Sequence, residues 1–356
     1  MEVVFWGVRG SKPTPGPNTM LFGGNTTCVQ VRTADYNFIF DAGTGIVELG
    51  HQLLREQQEQ FKVVSKQTAK QPSDSDNSDI ASKVSSMAQN AQGSQDSQVN
   101  KPSVTGLDAT DLPMLPAPIE ADIFFSHLHW DHIQGLPFFA PIYAPGNHFR
   151  LHGEDKEGWT FQQIIEKQMR PPHFPITMKM MKSTYEFHKI AAGQTLTYKG
   201  IASQHDTYIK TFAVNHPNGC LAYRIDSGPD SVVFCTDTAP FETEKEQQAF
   251  CEFIRGADVF IYDTHFSDDE YYGLTDGQHK KKWGHSTWEE GTRMAEKAGI
   301  NTLALFHHKE NRSDREQQEI EIHARQKFAG TVAAREGMRI NIGGDCPEKV
   351  VITYPY

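Results

Sequence analysis

Ser126-His127-Leu128-His129-Trp130-Asp131-His132 follows the apolar run Ile123-Phe124-Phe125. Three imidazoles and a carboxylate directly after a stretch with the character of a buried strand point to a loop that carries chemistry, since sites gather on loops held by a rigid scaffold. Extended backbone alternates side chains with a period of two. His127, His129 and Asp131 are therefore expected to face one way and His132 another, so that one short loop can serve two neighbouring ions. Imidazole together with carboxylate suits Zn²⁺ and its borderline-soft neighbours, whereas Ca²⁺ and Mg²⁺ prefer oxygen alone.

Outward from this loop, short β-rich runs alternate with helical ones. Strands are expected at Cys28–Arg32, Asn37–Asp41, Asp122–Ser126, Thr211–Asn215, Leu221–Ile225, Ser231–Cys235, Asp258–Tyr262, Thr302–Phe306 and Lys349–Tyr354. Helices are expected at Ile46–Phe61, Thr160–Met169, Glu242–Arg255, Thr287–Lys297 and Asp314–Phe328, the last capped by Ser313 or Asp314. Runs such as Phe38-Ile39-Phe40 and Val259-Phe260-Ile261 are apolar throughout, as in sheets covered on both faces. The pattern predicts an α/β sandwich with helices outside two sheets. Nearly every strand ends in an ionisable residue: Asp41, His127, His216, Asp237, Asp263 with His265, and His307. Strand ends are where layered α/β folds build their sites.

The remaining composition narrows the class. From about Val64 to Asp111 the chain is rich in Ser, Gln, Asp, Asn and Lys without an aromatic residue. Such a stretch buries too little to offset its ordering entropy, so 64–111 reads as a flexible surface insertion in one domain spanning residues 1–356. A net charge of −11 argues against a main task of holding long nucleic acid. Five scattered Cys, none in a CxxC pair, exclude a disulfide framework and a thiolate zinc site. Neither a signal peptide nor a membrane span is visible, and the expectation is a soluble cytoplasmic protein.

The HxHxDH loop resembles the hallmark of the metallo-β-lactamase superfamily, and further motifs follow in that family's order. The resemblance implies a four-layer αββα sandwich. Asp41, in Phe40-Asp41-Ala42-Gly43-Thr44-Gly45, looks like the aspartate that orients the His loop. His216 looks like the third-motif histidine, Asp237 like the bridging aspartate and His307 like the final ligand, with His308 as its rival. The resemblance assigns one divalent ion to His127, His129 and His216, and a second to Asp131, His132 and His307. Asp237 and a water would lie between them. The ions would be Zn²⁺, with Mn²⁺ or Fe as alternatives.

Two ions close together lower the pKa of a shared water toward about 7 and polarise a substrate oxygen, with Asp131 orienting the nucleophile's proton. Gly284-His285-Ser286-Thr287, 22 residues before His307, resembles the HST motif of the ribonuclease Z-like phosphodiesterase branch, where the histidine assists the leaving group. Asn25-Thr26-Thr27-Cys28 and Asp258–Phe266 are similar to that branch too. Asp237 stands where metallo-β-lactamases proper commonly carry Cys, which disfavours antibiotic hydrolysis. His216 and Asp237 are only 21 residues apart, which leaves no room for a long tRNA-binding arm. The opening Gly7-Val8-Arg9-Gly10-Ser11-Lys12-Pro13 is similar to proteins related to cyclic-nucleotide phosphodiesterases. The expectation is a dinuclear phosphodiesterase that hydrolyses a small phosphodiester, a 3′,5′-cyclic nucleotide, through a metal-bridging hydroxide, with Asp131 and His285 as catalytic residues. Alternatives are a tRNA 3′-processing-type endoribonuclease, a thioesterase or lactonase on the same fold, and a non-catalytic nucleotide-binding module. No membrane partner is expected, and related proteins suggest a homodimer.

Overall fold

The computed structural model describes residues 1–68, 116–343 and 349–355. By their contacts, Met1–Leu54 with Pro118–Tyr356 form one unit and Arg55–Ala117 another. The described strands are β1 (Glu2–Gly7), β2 (Cys28–Arg32), β3 (Asn37–Phe40), β4 (Glu120–Phe124), β5 (His148–Gly153), β6 (Thr184–Lys189), β7 (Thr195–Tyr198), β8 (Thr207–Val214), β9 (Cys220–Ser227), β10 (Asp230–Cys235), β11 (Val259–Asp263), β12 (Thr302–Phe306), β13 (Thr331–Ala333), β14 (Arg339–Ile342) and β15 (Val350–Thr353). The helices are α1 (Ile46–Thr68), α2 (Trp130–Ile133), α3 (Phe161–Gln168), α4 (Glu244–Ile254), α5 (Asp268–Tyr271), α6 (Trp288–Ala298) and α7 (Asp314–Lys327).

Among the described residues the strands form two mixed sheets, in the orders β15-β14-β1-β2-β3-β4-β5-β6 and β13-β12-β11-β10-β9-β8-β7. The apolar runs are continuous because both faces of each sheet are covered. Phe38 and Phe40 point between the sheets with Phe124, Phe234, Ile261 and Phe306. Ile39 and Ile123 point the other way, with Leu49 and Leu53 of α1 and Phe161 and Ile165 of α3. On the far side, Val233, Phe260, Leu303 and Leu305 pack with Phe250 and Ile254 of α4, Met294 and Ala295 of α6 and Ala324 of α7. The period of two thus splits every apolar strand between two cores, giving a four-layer αββα sandwich.

Local sequence sets the helix starts. Ser313 caps α7 and Thr243 caps α4, each in a reciprocal capping box with the glutamate three residues on. Thr287 caps α6, and Gly299 ends it at φ 66°.

The expected helix Ile46–Phe61 is too short. α1 continues to Thr68, so the first residues of the expected 64–111 insertion are helical. Once a helix is nucleated, each added residue costs only propagation, and none from Lys62 to Thr68 is Gly or Pro. Residues 69–111 lie outside the described ones. Five strands outside the expectation are β1, β5, β6, β7 and β14, and β13 is a further short one. Among the described residues no helix is long and apolar enough to cross a membrane.

Register brings the strand ends to one level. Phe40 pairs with Phe124 in the first sheet. In the second, Cys235 pairs with Tyr262 and Asp263 with Phe306. The two sheets are joined where the histidine loop leaves β4: the Tyr223 hydroxyl donates to the Phe125 carbonyl at 2.6 Å, and the Leu221 N–H to Ser126 O at 2.9 Å.

Candidate metal centre

Three of the strand-end residues turn sharply on leaving their sheets. Asp41, Asp237 and His307 have φ of 62°, 48° and 58°. Left-handed backbone is uncommon outside glycine and costs free energy, so its recurrence at one rim marks a site over-determined by its surroundings.

The expected ligands fall into two groups. In the first, His127 Nε2 and His216 Nε2 lie 2.9 and 3.0 Å from His129 Nδ1. In the second, His132 Nε2 lies 3.1 Å from Asp131 Oδ2, and His307 Nε2 lies 3.4 Å from the same oxygen. Asp237 stands between them. Its Oδ1 is 3.8 Å from both His127 and His216, while its Oδ2 is 3.2 Å from His132 and 3.1 Å from His307.

The expectation that Asp131 shares the direction of His127 and His129 needs correction. Trp130–Ile133 is a helical turn, so the period of two stops at His129. Asp131 turns to the second group with His132.

Outer contacts orient these side chains. Asp41, fully buried, accepts from Ser126 N–H and Ser126 Oγ at 2.7 Å each, and holds His132 Nδ1 at 2.8 Å. His216 Nδ1 is 2.8 Å from the Gly284 carbonyl. Gly284 sits at φ 80°, and a Cβ there would lie 2.4 Å from that same nitrogen, so this close approach requires glycine. His308 faces away: its Nε2 meets Ala334 O at 2.8 Å and its ring lies edge-on to Phe22. Of the two adjacent histidines, His307 is the one in the cluster.

His285 reaches the same rim from the loop before α6. Its Nδ1 is 3.0 Å from Asp263 Oδ2 and 3.7 Å from Asp237 Oδ1. Burial works against charge on this imidazole, but Asp263 outweighs it and pushes His285 up to about 9. Asp263 is absent from the expected site residues. It also accepts the Thr238 and His265 N–H groups, at 3.1 Å each. The acid closing the apolar run Val259–Tyr262 was its available signal. His265 was likewise missed; it stacks on His285 at 4.5 Å and meets the His307 carbonyl through Nδ1 at 3.2 Å. Ser11, in the opening Gly7–Pro13 stretch, donates its N–H to Asp131 Oδ2 at 2.8 Å.

Charge in the centre is strongly organised. Burial opposes ionisation of Asp131, but His132 and His307 hold its carboxyl far below the usual range. Burial opposes Asp237 as well, and His307 and His132 outweigh it. Burial lowers His127, with His132 adding to the effect, so its nitrogen stays a neutral donor.

The donor set fits divalent cations. His127, His129 and His216 form one cluster of potential ligand atoms, and Asp131, His132, Asp237 and His307 form another. His132 Nε2 is buried and makes no hydrogen bond, although two carboxylate oxygens lie within 3.2 Å. A buried imidazole nitrogen that converges on two carboxylate oxygens without bonding either suits a shared cation. Nitrogen and oxygen donors without a thiolate match a Zn²⁺-type ion. Ser11, His129, Trp130, Asp131, Asp237 and His285 line a cavity of about 470 Å³ over the cluster.

An αββα sandwich with such a rim defines a metallo-hydrolase class, and the comparisons name the family. The family described as "Beta-lactamase superfamily domain" matches residues 104–308. The chain belongs to this superfamily, that of the metallo-β-lactamase fold, whose members include metal-dependent hydrolases. Ribonuclease Z of Exiguobacterium sibiricum is 26% identical over 288 residues, covering 67% of this chain and 88% of that protein. Probable metallo-hydrolase YhfI of Bacillus subtilis is 34% identical over 210 residues, covering 54% of this chain and 68% of YhfI. The crystal structure of YhfI aligns with a TM-score of 0.54 at 18% identity over 95% of this chain and 97% of its own. Human tRNase Z, short form, aligns with 0.53 at 15% over 97% and 100%. At these identities the two structures attest the fold.

Proposed function

We propose that this protein is a phosphodiesterase acting on a small phosphodiester of the 3′,5′-cyclic nucleotide kind, with metal ligands His127, His129 and His216 for one ion, Asp131, His132 and His307 for a second, and Asp237 between them. When bound, two divalent cations would lower the pKa of a water toward neutrality and polarise a phosphoryl oxygen. The observation that carries the reading is His285. Its Nδ1 is committed to Asp263, which leaves Nε2 to face a leaving group and favours the protonated ring. A protonated imidazole there can neutralise and then protonate an alkoxide leaving group, the step that a thioester does not need. Asp263 keeps the ring in the donating orientation, and Asp41 keeps His132 Nε2 turned inward. Asp131, fixed by the Ser11 N–H, can orient the proton of the attacking water. The net charge of −11 supports a small substrate over a long polyanion.

A second reading is favoured by the relatives named ribonuclease Z, namely endonucleolytic cleavage of a tRNA precursor. A panel of cyclic AMP, cyclic GMP, a bis-nitrophenyl phosphodiester, a thioester and a tRNA precursor, at fixed and stated salt, separates the two. His285→Ala is expected to keep its metal and lose about 10²-fold or more on the cyclic nucleotide but far less on the nitrophenyl ester, whose leaving group departs unaided. Faster cleavage of the tRNA precursor than of either cyclic nucleotide would overturn the choice of substrate. Equal losses on the two esters would reduce His285 to a phosphate-binding group.

A further inference from the structure

A second cavity of about 390 Å³ is lined by His127 and His129 of the cluster and by Trp159. Trp159 is 47% exposed, so much of its side chain is open to solvent. It is held firmly nonetheless. The turn Lys156–Trp159 is closed by Lys156 N–H to Trp159 O at 3.0 Å and Trp159 N–H to Lys156 O at 2.8 Å. Both central residues take positive φ, 25° at Glu157 and 82° at Gly158. The next residue, Thr160, caps α3 through a capping box. The backbone that carries the indole is therefore held by a closed turn and a capped helix.

Its two faces differ. Lys167 Nζ lies 4.1 Å from the ring centroid and belongs to a neighbouring cavity of about 450 Å³, which Trp159 also lines. Lys167 covers one face of the ring from that neighbouring side, while Trp159 lines the first cavity together with His127 and His129. Lys156, tied to Glu154 at 2.7 Å, and Asn218 supply polar edges to that space. An aromatic ring, polar edges and two histidines of a phosphate-seeking centre in one cavity form the complement of a nucleoside phosphate. Cavities of a few hundred Å³ suit a ligand of that size.

We propose that Trp159 is the platform on which the nucleobase of the substrate stacks, which makes it a specificity-determining residue and the first cavity a nucleoside-phosphate site. This rests on the phosphodiesterase reading above. Base-on-aromatic stacking is sequence-tolerant, so the site would select a nucleoside phosphate over a bare sugar phosphate and accept any base.

The test is calorimetric binding of AMP and ribose 5-phosphate to the metal-loaded full chain, which needs no turnover. AMP should bind about tenfold or more tighter than ribose 5-phosphate, in line with the loss on removing a stacking ring. Trp159→Ala should abolish that preference and leave ribose 5-phosphate within about twofold, and Trp159→Phe should restore most of it. No preference for AMP in the unaltered protein, or equal losses of both ligands in Trp159→Ala, overturns the proposal. Should Trp159→Ala fail to fold, tryptophan fluorescence decides: AMP quenching that disappears in Trp159→Phe supports stacking, and quenching retained in full refutes it. Failure of the phosphodiesterase reading looks different, as base-dependent binding without turnover of any phosphodiester.

Discussion

Asp41→Asn tests how far the centre depends on a residue that touches no substrate. Asparagine has the size of aspartate and is itself tolerated in left-handed backbone, so the φ of 62° is not the perturbation. Oδ1 remains an acceptor for the Ser126 N–H. The change falls on Oδ2, where a donor amide replaces the acceptor facing Ser126 Oγ and His132 Nδ1. The serine hydroxyl can rotate to accept. The imidazole can accept only by moving its proton to Nε2, the nitrogen that faces Asp131 and Asp237. A hydrogen bond to a charged group contributes about 1.5–3 kcal/mol. At about 1.4 kcal/mol per tenfold, metal affinity should fall by roughly 10- to 150-fold, which agrees with the about 10- to 100-fold cost of altering residues behind metal ligands. Metal-free stability should change little, because burial already disfavours the charge on Asp41 and the variant removes it. A chelator-competition titration measures the affinity, and thermal melts with and without metal measure the rest. Unchanged affinity, or an equal loss of stability in the metal-free protein, would refute the reasoning.

Elemental analysis of the purified chain should find about two transition-metal ions; Asp237→Ala, which faces both ligand groups, should lose both, and His129→Ala should spare the group of Asp131, His132 and His307. Gly10→Ala would put a Cβ 2.6 Å from the His307 ring and 3.0 Å from His265 Nδ1; the ring must shift, so one ion should be lost while the fold melts within a few degrees of the parent, and retention of both ions at full activity would show that the ring has room to move. Replacing residues 69–111 with a short Gly/Ser linker should leave soluble protein and small-substrate turnover nearly unchanged, as expected of a stretch without candidate ligands, and a large fall in turnover would count against that. His308→Gln should keep both ions, because its ring faces Ala334 and Phe22.

The layered fold and the rim were legible because each depends on a local signal. Phe38-Ile39-Phe40 and Val259-Phe260-Ile261 declare strands buried on both faces, and an ionisable residue after each marks the rim. β5 hid because its strand carries Arg150 and His152. Both are satisfied by Asp122 of β4, the arginine at 2.7 Å and the imidazole at 2.7 Å, a pairing across strands that no window of sequence contains. β6 and β7 have no fully buried residue, so neither shows the continuous apolar run that marked the other strands. Asp263 and His265 escaped the site for a related reason: what makes them part of it is contact with His285 and His307, more than twenty residues away. The direction of Asp131 was misread because one helical turn, starting at Trp130, broke the period on which the expectation rested.

The left-handed turns at Asp41, Asp237 and His307 also limit how this centre could change its metal. Aspartate, asparagine and histidine enter that backbone region far more readily than other non-glycine residues. A mutation that exchanged Asp237 for cysteine, to recruit a softer ion, would have to supply a thiolate and also hold cysteine at φ 48°. Chemical preference and chain geometry thus select the same residue types. Drift toward other ligands at these positions therefore carries a backbone cost as well as a chemical one, and change is easier where the backbone is ordinary, as at His129, the φ −68° residue before α2.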